Sequence, residues 1–240
     1  MRTLRQGMIN GEMPNSCRKC YKEEESGYRS KRMWENDLWS EQLDFNKIVD
    51  NMSEDGSIPY GIHYIDMKLG NACNLACVMC NPSDSSLWIP DWNKLKKQEL
   101  SPEVDSQTYW NKNEAGAYNW YKKNQNYWDS LQENIDKLHS VYIIGGEPTV
   151  NPEFKKFVQD CVNTGNASLI DLRFNTNGQI LDEELKELYT HFKSVTLHLS
   201  MDGTHERYTY IRHPGEWQAQ LDSLHWHDNL SDNVNVCLLY

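Results

Sequence analysis

Long apolar runs, an excess of basic residues and an apolar amino-terminal stretch are all lacking in this sequence of 240 residues. No run of about 18 apolar residues occurs, so we predict no membrane-spanning helix. Lysine and arginine number 24 against 35 aspartates and glutamates, a net charge of −11, which argues against nucleic acid or an anionic membrane as a partner. Residues 1–13 lack the apolar segment of a secretory signal. We therefore expect a cytoplasmic protein.

The hydrophobic fraction is also low, at 38%. The apolar residues are nevertheless gathered into periodic segments, which indicates a folded chain rather than a disordered one. A chain of this length can bury a core, either as one α/β domain or as a domain with an appendage.

Disulfide bonds are not expected, because the seven cysteines would lie in a reducing compartment. Five of them form two tight groups, Cys17/Cys20 and Cys73/Cys77/Cys80. Tight grouping favours metal ligation. Cys161 and Cys237 stand alone among apolar neighbours, and we interpret both as small core residues.

Charge and composition divide the chain near residue 60. Residues 1–33 hold eight Lys or Arg against four Glu, whereas residues 34–60 are mixed and polar and resemble a connector. We therefore predict an amino-terminal extension over residues 1–60 and a second domain over residues 61–240.

Short β-rich runs alternate with helical patterns in the second domain. The runs cover residues 62–69, 141–144, 169–174, 195–200 and 234–240. Apolar residues with helical spacing follow Asn151-Pro152, a good helix start, and recur from Leu181 to Phe192. Strands that alternate with helices predict right-handed βαβ units, a parallel sheet and an α/β fold.

Residues 83–139 interrupt this alternation and are rich in aromatic side chains. These are Trp88, Trp92, Tyr109, Trp110, Tyr118, Trp120, Tyr121, Tyr127 and Trp128. We predict a helical insertion whose aromatic residues pack on the body of the domain; the alternative is that they line a substrate groove.

A polar, glycine- or asparagine-containing turn follows each of the first four predicted strands. The turns begin at Gly70, Gly145, Asn175 and Ser200. In parallel sheets and barrels the carboxyl ends of the strands lie at one face, where ligands bind. The sequence therefore predicts that the four turns form one binding site.

The first turn carries three cysteines with the spacing C-x3-C-x2-C, at Cys73, Cys77 and Cys80. Three thiolates can hold three irons of a [4Fe–4S] cube and leave the fourth iron open to a chelating small molecule. The alternatives are a zinc site completed by a distant residue and a helix that carries the three thiols on one face.

The sequence from Cys73 to Cys80 resembles the signature of the radical S-adenosylmethionine superfamily. Gly145-Gly146-Glu147-Pro148, about 65 residues later, is similar to the second motif of that family. The resemblance covers residues 62–240. It implies a partial (β/α)6 TIM-like barrel of parallel strands, of which five are visible here. It also implies a reduced cluster that cleaves bound S-adenosylmethionine to a 5′-deoxyadenosyl radical, which takes a hydrogen atom from substrate.

The resemblance assigns roles to residues at the strand ends. Cys73, Cys77 and Cys80 would ligate the cluster, and Gly145, Gly146 and Glu147 would receive the methionine ammonium group. Ser200 and Asp202 resemble residues that hold the ribose or methionine end, and Asn175 and Asn177 resemble the turn that contacts the nucleoside. Turn formation alone remains the alternative for these four residues. Met79 stands where the family often has an aromatic residue, and its backbone or thioether would contact the adenine.

The amino-terminal extension resembles part of the SPASM/twitch accessory regions, which bind auxiliary iron–sulfur clusters. The resemblance rests on residues 5–12, on Cys17-x2-Cys20 and on residues 22–27. Two cysteines do not complete such a cluster, so a zinc half-site and exposed thiols remain alternatives. The half-site and the apolar strand at the carboxyl end suggest a sequence truncated at both ends.

Four other residues, His225, His227, His198 and Arg212, are given no definite functional role. His225 and His227 have a spacing that points them apart on a helix, which favours the surface. His198 faces either the barrel interior or the helices. Arg212 would bind a carboxylate or, more commonly, form a surface ion pair.

The expected function is hydrogen-atom abstraction from a peptide or protein side chain, with flavodoxin or ferredoxin as electron donor. The alternatives are radical oxidation of a small sugar or aminocyclitol, and a non-catalytic iron–sulfur or zinc protein.

Overall fold

The computed structural model describes residues 2–59, 61–97 and 119–239. The chain divides into two compact units, residues 1–61 and 62–240, which we describe separately. No helix in the described ranges has the length and apolarity needed to cross a bilayer.

The first unit is helical. Its helices are α1 (Arg2–Ile9), α2 (Arg18–Glu25), α3 (Lys31–Ser40) and α4 (Phe45–Asp50). The interpretation of residues 34–60 as a connector is wrong, because α3 and α4 occupy much of it. The Ser30 hydroxyl accepts a hydrogen bond from the Met33 amide at 3.2 Å, and the Asp44 carboxylate accepts one from the Lys47 amide at 3.0 Å. A side-chain cap therefore begins each of these two helices.

The second unit contains five strands and the helices between them. The strands are β1 (Tyr64–Leu69), β2 (Ser140–Gly145), β3 (Asp171–Thr176), β4 (Ser194–Ser200) and β5 (Val234–Leu239). The helices are α5 (Ile89–Lys97), α6 (Trp120–Lys123), α7 (Gln125–Gln132), α8 (Pro152–Asn163), α9 (Glu183–Tyr189), α10 (His205–Ile211) and α11 (Trp217–His227).

All neighbouring strands are parallel, in the order β1-β2-β3-β4-β5. Within the described residues β1 and β5 are not paired with each other, so the sheet stays open. The predicted α/β fold with five parallel strands is confirmed, and the open sheet is consistent with part of a barrel.

The core lies between one face of this sheet and the helices. Alternate residues of β3 and β4 are buried, including Leu172, Phe174, Val195 and Leu197. Phe154, Phe157 and Val158 of α8, and Leu185 of α9, belong to the same core cluster. The remaining strand residues face the other side and are more polar, so the two faces of the sheet are chemically distinct.

The described part of the aromatic insertion packs on the sheet, as predicted. Tyr121 is 2% exposed, and Trp120 and Tyr127 lie against the core. The Trp120 indole donates to the Lys68 carbonyl at 3.1 Å. The predicted roles of Tyr109, Trp110 and Tyr118 fall outside the described residues.

Two assignments to core and surface are wrong. Cys161 is buried as expected, but Cys237 is exposed because it lies on β5, which has a neighbour on one side only within the described sheet. His227 is buried, not at the surface, and its Nδ1 lies 2.7 Å from the Ser223 carbonyl. His225 is exposed, as predicted.

Candidate functional site

The turns at the carboxyl ends of β1 to β4 line one cavity, which is partly open to solvent. Its walls are Cys73, Cys77, Cys80, Asp84, Gly145, Gly146, Glu147, Asn175, Thr176, Asn177, Ser200 and Arg212. The sequence therefore predicted most of the residues that meet here.

The cysteine loop follows β1 and contains no helix, so the alternative of a helical face is wrong. Its course is set by hydrogen bonds from the segment that follows it. The Ser85 hydroxyl donates to the Leu75 carbonyl at 2.6 Å, and the Trp88 indole donates to the Cys77 carbonyl at 2.9 Å. The Asn71 amide group donates to the Pro82 carbonyl at 2.7 Å. These bonds fix the backbone on which the three thiols are carried.

The three thiols differ in their electrostatic surroundings. Burial raises the pKa of Cys73. A hydrogen bond with the Cys80 thiol lowers the pKa of Cys77, and the nearby Arg212 guanidinium acts in the same direction. The same hydrogen bond, together with burial, raises the pKa of Cys80. Cys77 is therefore the thiol whose ionised form this pocket favours most.

The end of β2 lies directly against the cysteine loop. A Cβ atom on Gly146 would lie 2.2 Å from the Ala72 carbonyl oxygen, and one on Gly145 would lie 3.0 Å from the Leu69 carbonyl oxygen. The Glu147 amide donates to the Ala72 carbonyl at 2.8 Å. Glycine is required at position 146 because β2 and the loop approach backbone to backbone, whereas the contact of Gly145 with the end of β1 is less close.

The Glu147 side chain is 2% exposed and accepts four hydrogen bonds. Its Oε1 accepts from the Thr149 amide at 3.1 Å, the Thr149 hydroxyl at 2.8 Å and the Thr176 hydroxyl at 2.9 Å, and its Oε2 accepts from the Asn177 amide at 2.6 Å. Burial raises the pKa of this carboxyl group, although the four donors act in the opposite direction. The carboxylate thus joins the turn after β2 to the turn after β3.

The two asparagines after β3 have different partners. The Asn177 amide group donates to Asn74 Oδ1 at 2.8 Å and lies 4.0 Å from Cys73 Sγ. Asn175 Oδ1 accepts from the Tyr142 hydroxyl at 3.0 Å and lies 3.0 Å from His198 Nδ1. Asn177 therefore supports the cysteine loop, and His198 belongs to the polar face of the sheet rather than to the helical layer.

Ser200 lines the cavity, whereas Asp202 and Met79 are not among its walls. Asp202 forms an ion pair with Arg212, and the two side chains are only 19% and 13% exposed. Met79 is 54% exposed. The surface interpretation of Arg212 is wrong, because the ion pair is largely buried.

Thr176 and Asp84 also line the cavity and are not among the residues predicted from the sequence. Thr176 lies between the two asparagines that were singled out, so the polar turn itself was the available signal. Asp84 forms an ion pair with Lys68 at 2.8 Å, and no motif marks it.

The cysteines of the first unit are described by themselves. Cys17 ends the short 3₁₀ turn Asn15–Cys17 and Cys20 lies in α2, and both are partly exposed. In the described ranges of the chain, no three His, Cys, Asp or Glu side chains are spaced to hold a single metal ion.

A family model and solved structures are similar to this chain. The family model described as the Radical SAM superfamily matches residues 67–237. Two solved structures are similar over 92% of this chain, at 15% identity: Streptococcus suis SuiB, with a TM-score of 0.43, and Streptococcus suis SuiB bound to S-adenosylmethionine, with a TM-score of 0.40. This chain covers 44% of either SuiB chain. No curated protein matches its sequence. Since the family model covers more than half of the chain, the protein belongs to the radical S-adenosylmethionine superfamily.

Proposed function

We propose that this protein binds a [4Fe–4S] cluster through Cys73, Cys77 and Cys80 and uses it to cleave S-adenosylmethionine. The observation that carries the proposal is the shared cavity: the three thiols line the same space as the glycine turn of β2 and the polar turns of β3 and β4.

The donor set fits such a cluster. Soft thiolates are the usual ligands of iron–sulfur cubes, and each thiolate binds a different iron, so the sulfurs need not surround a single point. Arg212 contributes a positive charge beside the thiolates. Three protein ligands would leave one iron open to S-adenosylmethionine.

The strand-end turns supply the contacts for the rest of the cofactor. The carbonyl groups of Gly145 and Gly146 are acceptors for the methionine ammonium group. Glu147 contributes to this site mainly by ordering the turn, since its oxygens already accept four hydrogen bonds from the protein.

The remaining polar residues are assigned to the nucleoside and methionine ends of S-adenosylmethionine. Asn175 and Ser200 line the cavity and present groups able to bind a ribose hydroxyl. Asn177 supports the cysteine loop beside them, and Asp202 acts through Arg212. Met79 is assigned to the adenine side through its backbone.

When held by Cys73, Cys77, Cys80 and the strand-end turns, the cluster and S-adenosylmethionine would supply the chemistry, which is one-electron cleavage of the sulfur–C5′ bond and hydrogen-atom abstraction from the substrate. The residues of this chain hold both components at the strand ends and shield them from water. The electron is assigned to a flavodoxin or ferredoxin.

The proposed substrate is a peptide or protein side chain. This choice rests on the similarity of residues within 5–27 to SPASM/twitch regions. The same proposal includes the binding of an auxiliary iron–sulfur cluster by Cys17 and Cys20. Deuterium transfer tests it: a peptide substrate labelled at the reacting carbon transfers deuterium into 5′-deoxyadenosine, whereas transfer only from a labelled sugar would contradict it.

Anaerobic reconstitution with iron and sulfide, followed by dithionite and S-adenosylmethionine, tests the core of the proposal. We expect about four irons per chain and release of 5′-deoxyadenosine. Cys77→Ala should abolish release, and Cys237→Ala, which removes an exposed thiol outside the cavity, should not. Tightly bound zinc without 5′-deoxyadenosine would contradict the proposal.

A further inference from the structure

A two-point backbone contact aligns Arg212 with Cys77. The Ala76 amide donates to the His213 carbonyl at 2.6 Å, and the Val78 amide donates to the Ile211 carbonyl at 2.9 Å. The residues on both sides of the cysteine are thus bonded to the residues on both sides of the arginine. This arrangement holds Cys77 and Arg212 opposite each other.

The side chains of Arg212 and Cys77 are also in contact. Arg212 Nη1 lies 3.6 Å from Cys77 Sγ, within hydrogen-bond range for sulfur. The guanidinium group also pairs with the Asp202 carboxylate, and the arginine and aspartate side chains are 13% and 19% exposed. Arg212 therefore stands between a cysteine sulfur and a carboxylate, in surroundings where water screens charge only partly.

Charge and hydrogen bonds at the ligand sulfurs change the reduction potential of an iron–sulfur cluster. Reduction adds a negative charge to the cluster. A cation that donates to a ligand sulfur stabilises the reduced form and raises the potential, whereas a carboxylate behind that cation weakens this effect.

We propose that Arg212 is a positioning residue that orients Cys77 and raises the reduction potential of the cluster, and that Asp202 limits this increase. The inference rests on the proposed function, because it requires the cluster to be bound by Cys77. It assigns the Arg212–Asp202 pair to the control of electron uptake.

The test is the midpoint potential of the reconstituted cluster, measured by electron paramagnetic resonance at a series of set potentials. Arg212→Gln removes the charge and is expected to lower the reduction equilibrium constant about tenfold, or 59 mV for one electron. Asp202→Asn leaves the arginine in place and is expected to raise the potential. Arg173→Gln is the matched control: Arg173 bonds to Ser140 at 3.0 Å, at the amino end of β2, and the potential should not move.

Opposite shifts in the Arg212 and Asp202 variants distinguish this role from a structural one, which would affect both variants in the same direction. Equal potentials, or shifts of the same sign, would overturn the inference. If Arg212→Gln does not retain the cluster, the Asp202→Asn potential decides alone: an increase supports the inference, and no change or a decrease overturns it. Failure of the unmodified chain to bind a cluster would instead overturn the proposed function.

Discussion

Gly146 allows β2 to end directly against the cysteine loop, since its Cα hydrogen faces a carbonyl oxygen that any side chain would strike. A Cβ atom there would lie 2.2 Å from the Ala72 oxygen. The distance for Gly145 is 3.0 Å, and at Gly203 the nearest atoms belong to the flexible Arg207 side chain. Because Gly146 has a hydrogen atom where alanine has a methyl group, the end of β2 and the cysteine loop can lie this close together.

Gly146→Ala is therefore expected to displace the loop, to destabilise the fold by about 1–3 kcal/mol and to reduce iron binding. Gly145→Ala should have a smaller effect, and Gly203→Ala, the control, the smallest. Chemical unfolding and iron content after reconstitution measure both effects. Equal iron content in the Gly146 and Gly203 variants would contradict this account.

Burial of Glu147 predicts a pH dependence of stability. Its pKa in the folded state is raised above the ordinary value of 4.5. At pH values between the unfolded-state pKa and the higher folded-state pKa, the folded chain therefore holds a proton that the unfolded chain has lost. The free energy of unfolding should therefore fall as the pH rises above about 4.5, by about 1.4 kcal/mol for each pH unit within this interval.

Glu147→Gln has no titrating group at this position and should lack that part of the decline. Unfolding by urea at several pH values measures the difference between the two proteins. A difference that stays constant, or that grows in favour of the glutamate with rising pH, would contradict a raised pKa.

The site residues that could be predicted from the sequence are those that directly follow a predicted strand. Asn175 and Ser200 were assigned by this rule and line the cavity. Burial and partners were not predictable in the same way. Arg212 looks like an ordinary surface residue, and only the folding of the loop against residues 211–213 buries it.

At the scale of elements, α8 is joined to the end of β1 through its capping residue. Asn151 is 1% exposed, and its side-chain oxygen accepts from the Glu153 amide at 3.1 Å while its amide group donates to the Leu69 carbonyl at 3.2 Å. One side chain thus starts the helix and joins it to the end of β1.

Asn151→Ala removes the cap and the bond to β1 together, and we expect a loss of about 2 kcal/mol. Asn124→Ala is the matched control, since Asn124 caps α7 by accepting from the Tyr127 amide at 3.2 Å but is exposed. It should cost about 1 kcal/mol or less. Thermal or urea unfolding compares the two, and equal losses would contradict a role of Asn151 beyond capping.

The elements were largely predictable because their periodic patterns are local. The helix after Asn151 and all five strands exist near their predicted positions. The predicted third strand, 169–174, begins too early, because Ala167–Leu169 forms a 3₁₀ turn and the strand begins at Asp171. Apolar character alone did not separate the turn from the strand, since Leu169 and Ile170 are apolar but precede the strand, and Leu169 is exposed.

At the scale of the whole molecule, cofactor binding should stabilise the fold. The cluster would hold the loop after β1, and S-adenosylmethionine would contact the turns of β2, β3 and β4. A group that binds only the folded chain stabilises it by about 2.7 kcal/mol at a hundred times its dissociation constant.

Removal of iron by a chelator should therefore lower the melting temperature of the reconstituted protein by several degrees, and S-adenosylmethionine should raise it. Cys77→Ala is the control that should not respond to either treatment. A melting temperature independent of iron in the unmodified chain would contradict the coupling of the cluster to the fold.

The most direct test of the central claim is Mössbauer spectroscopy of the chain reconstituted with iron-57, before and after addition of S-adenosylmethionine. If three thiolates hold a cube with one open iron, the cofactor binds that iron alone. The account predicts that one iron becomes spectroscopically distinct from the rest when S-adenosylmethionine is added, and that Cys73→Ala abolishes the change. A spectrum that S-adenosylmethionine leaves unaltered would contradict the account.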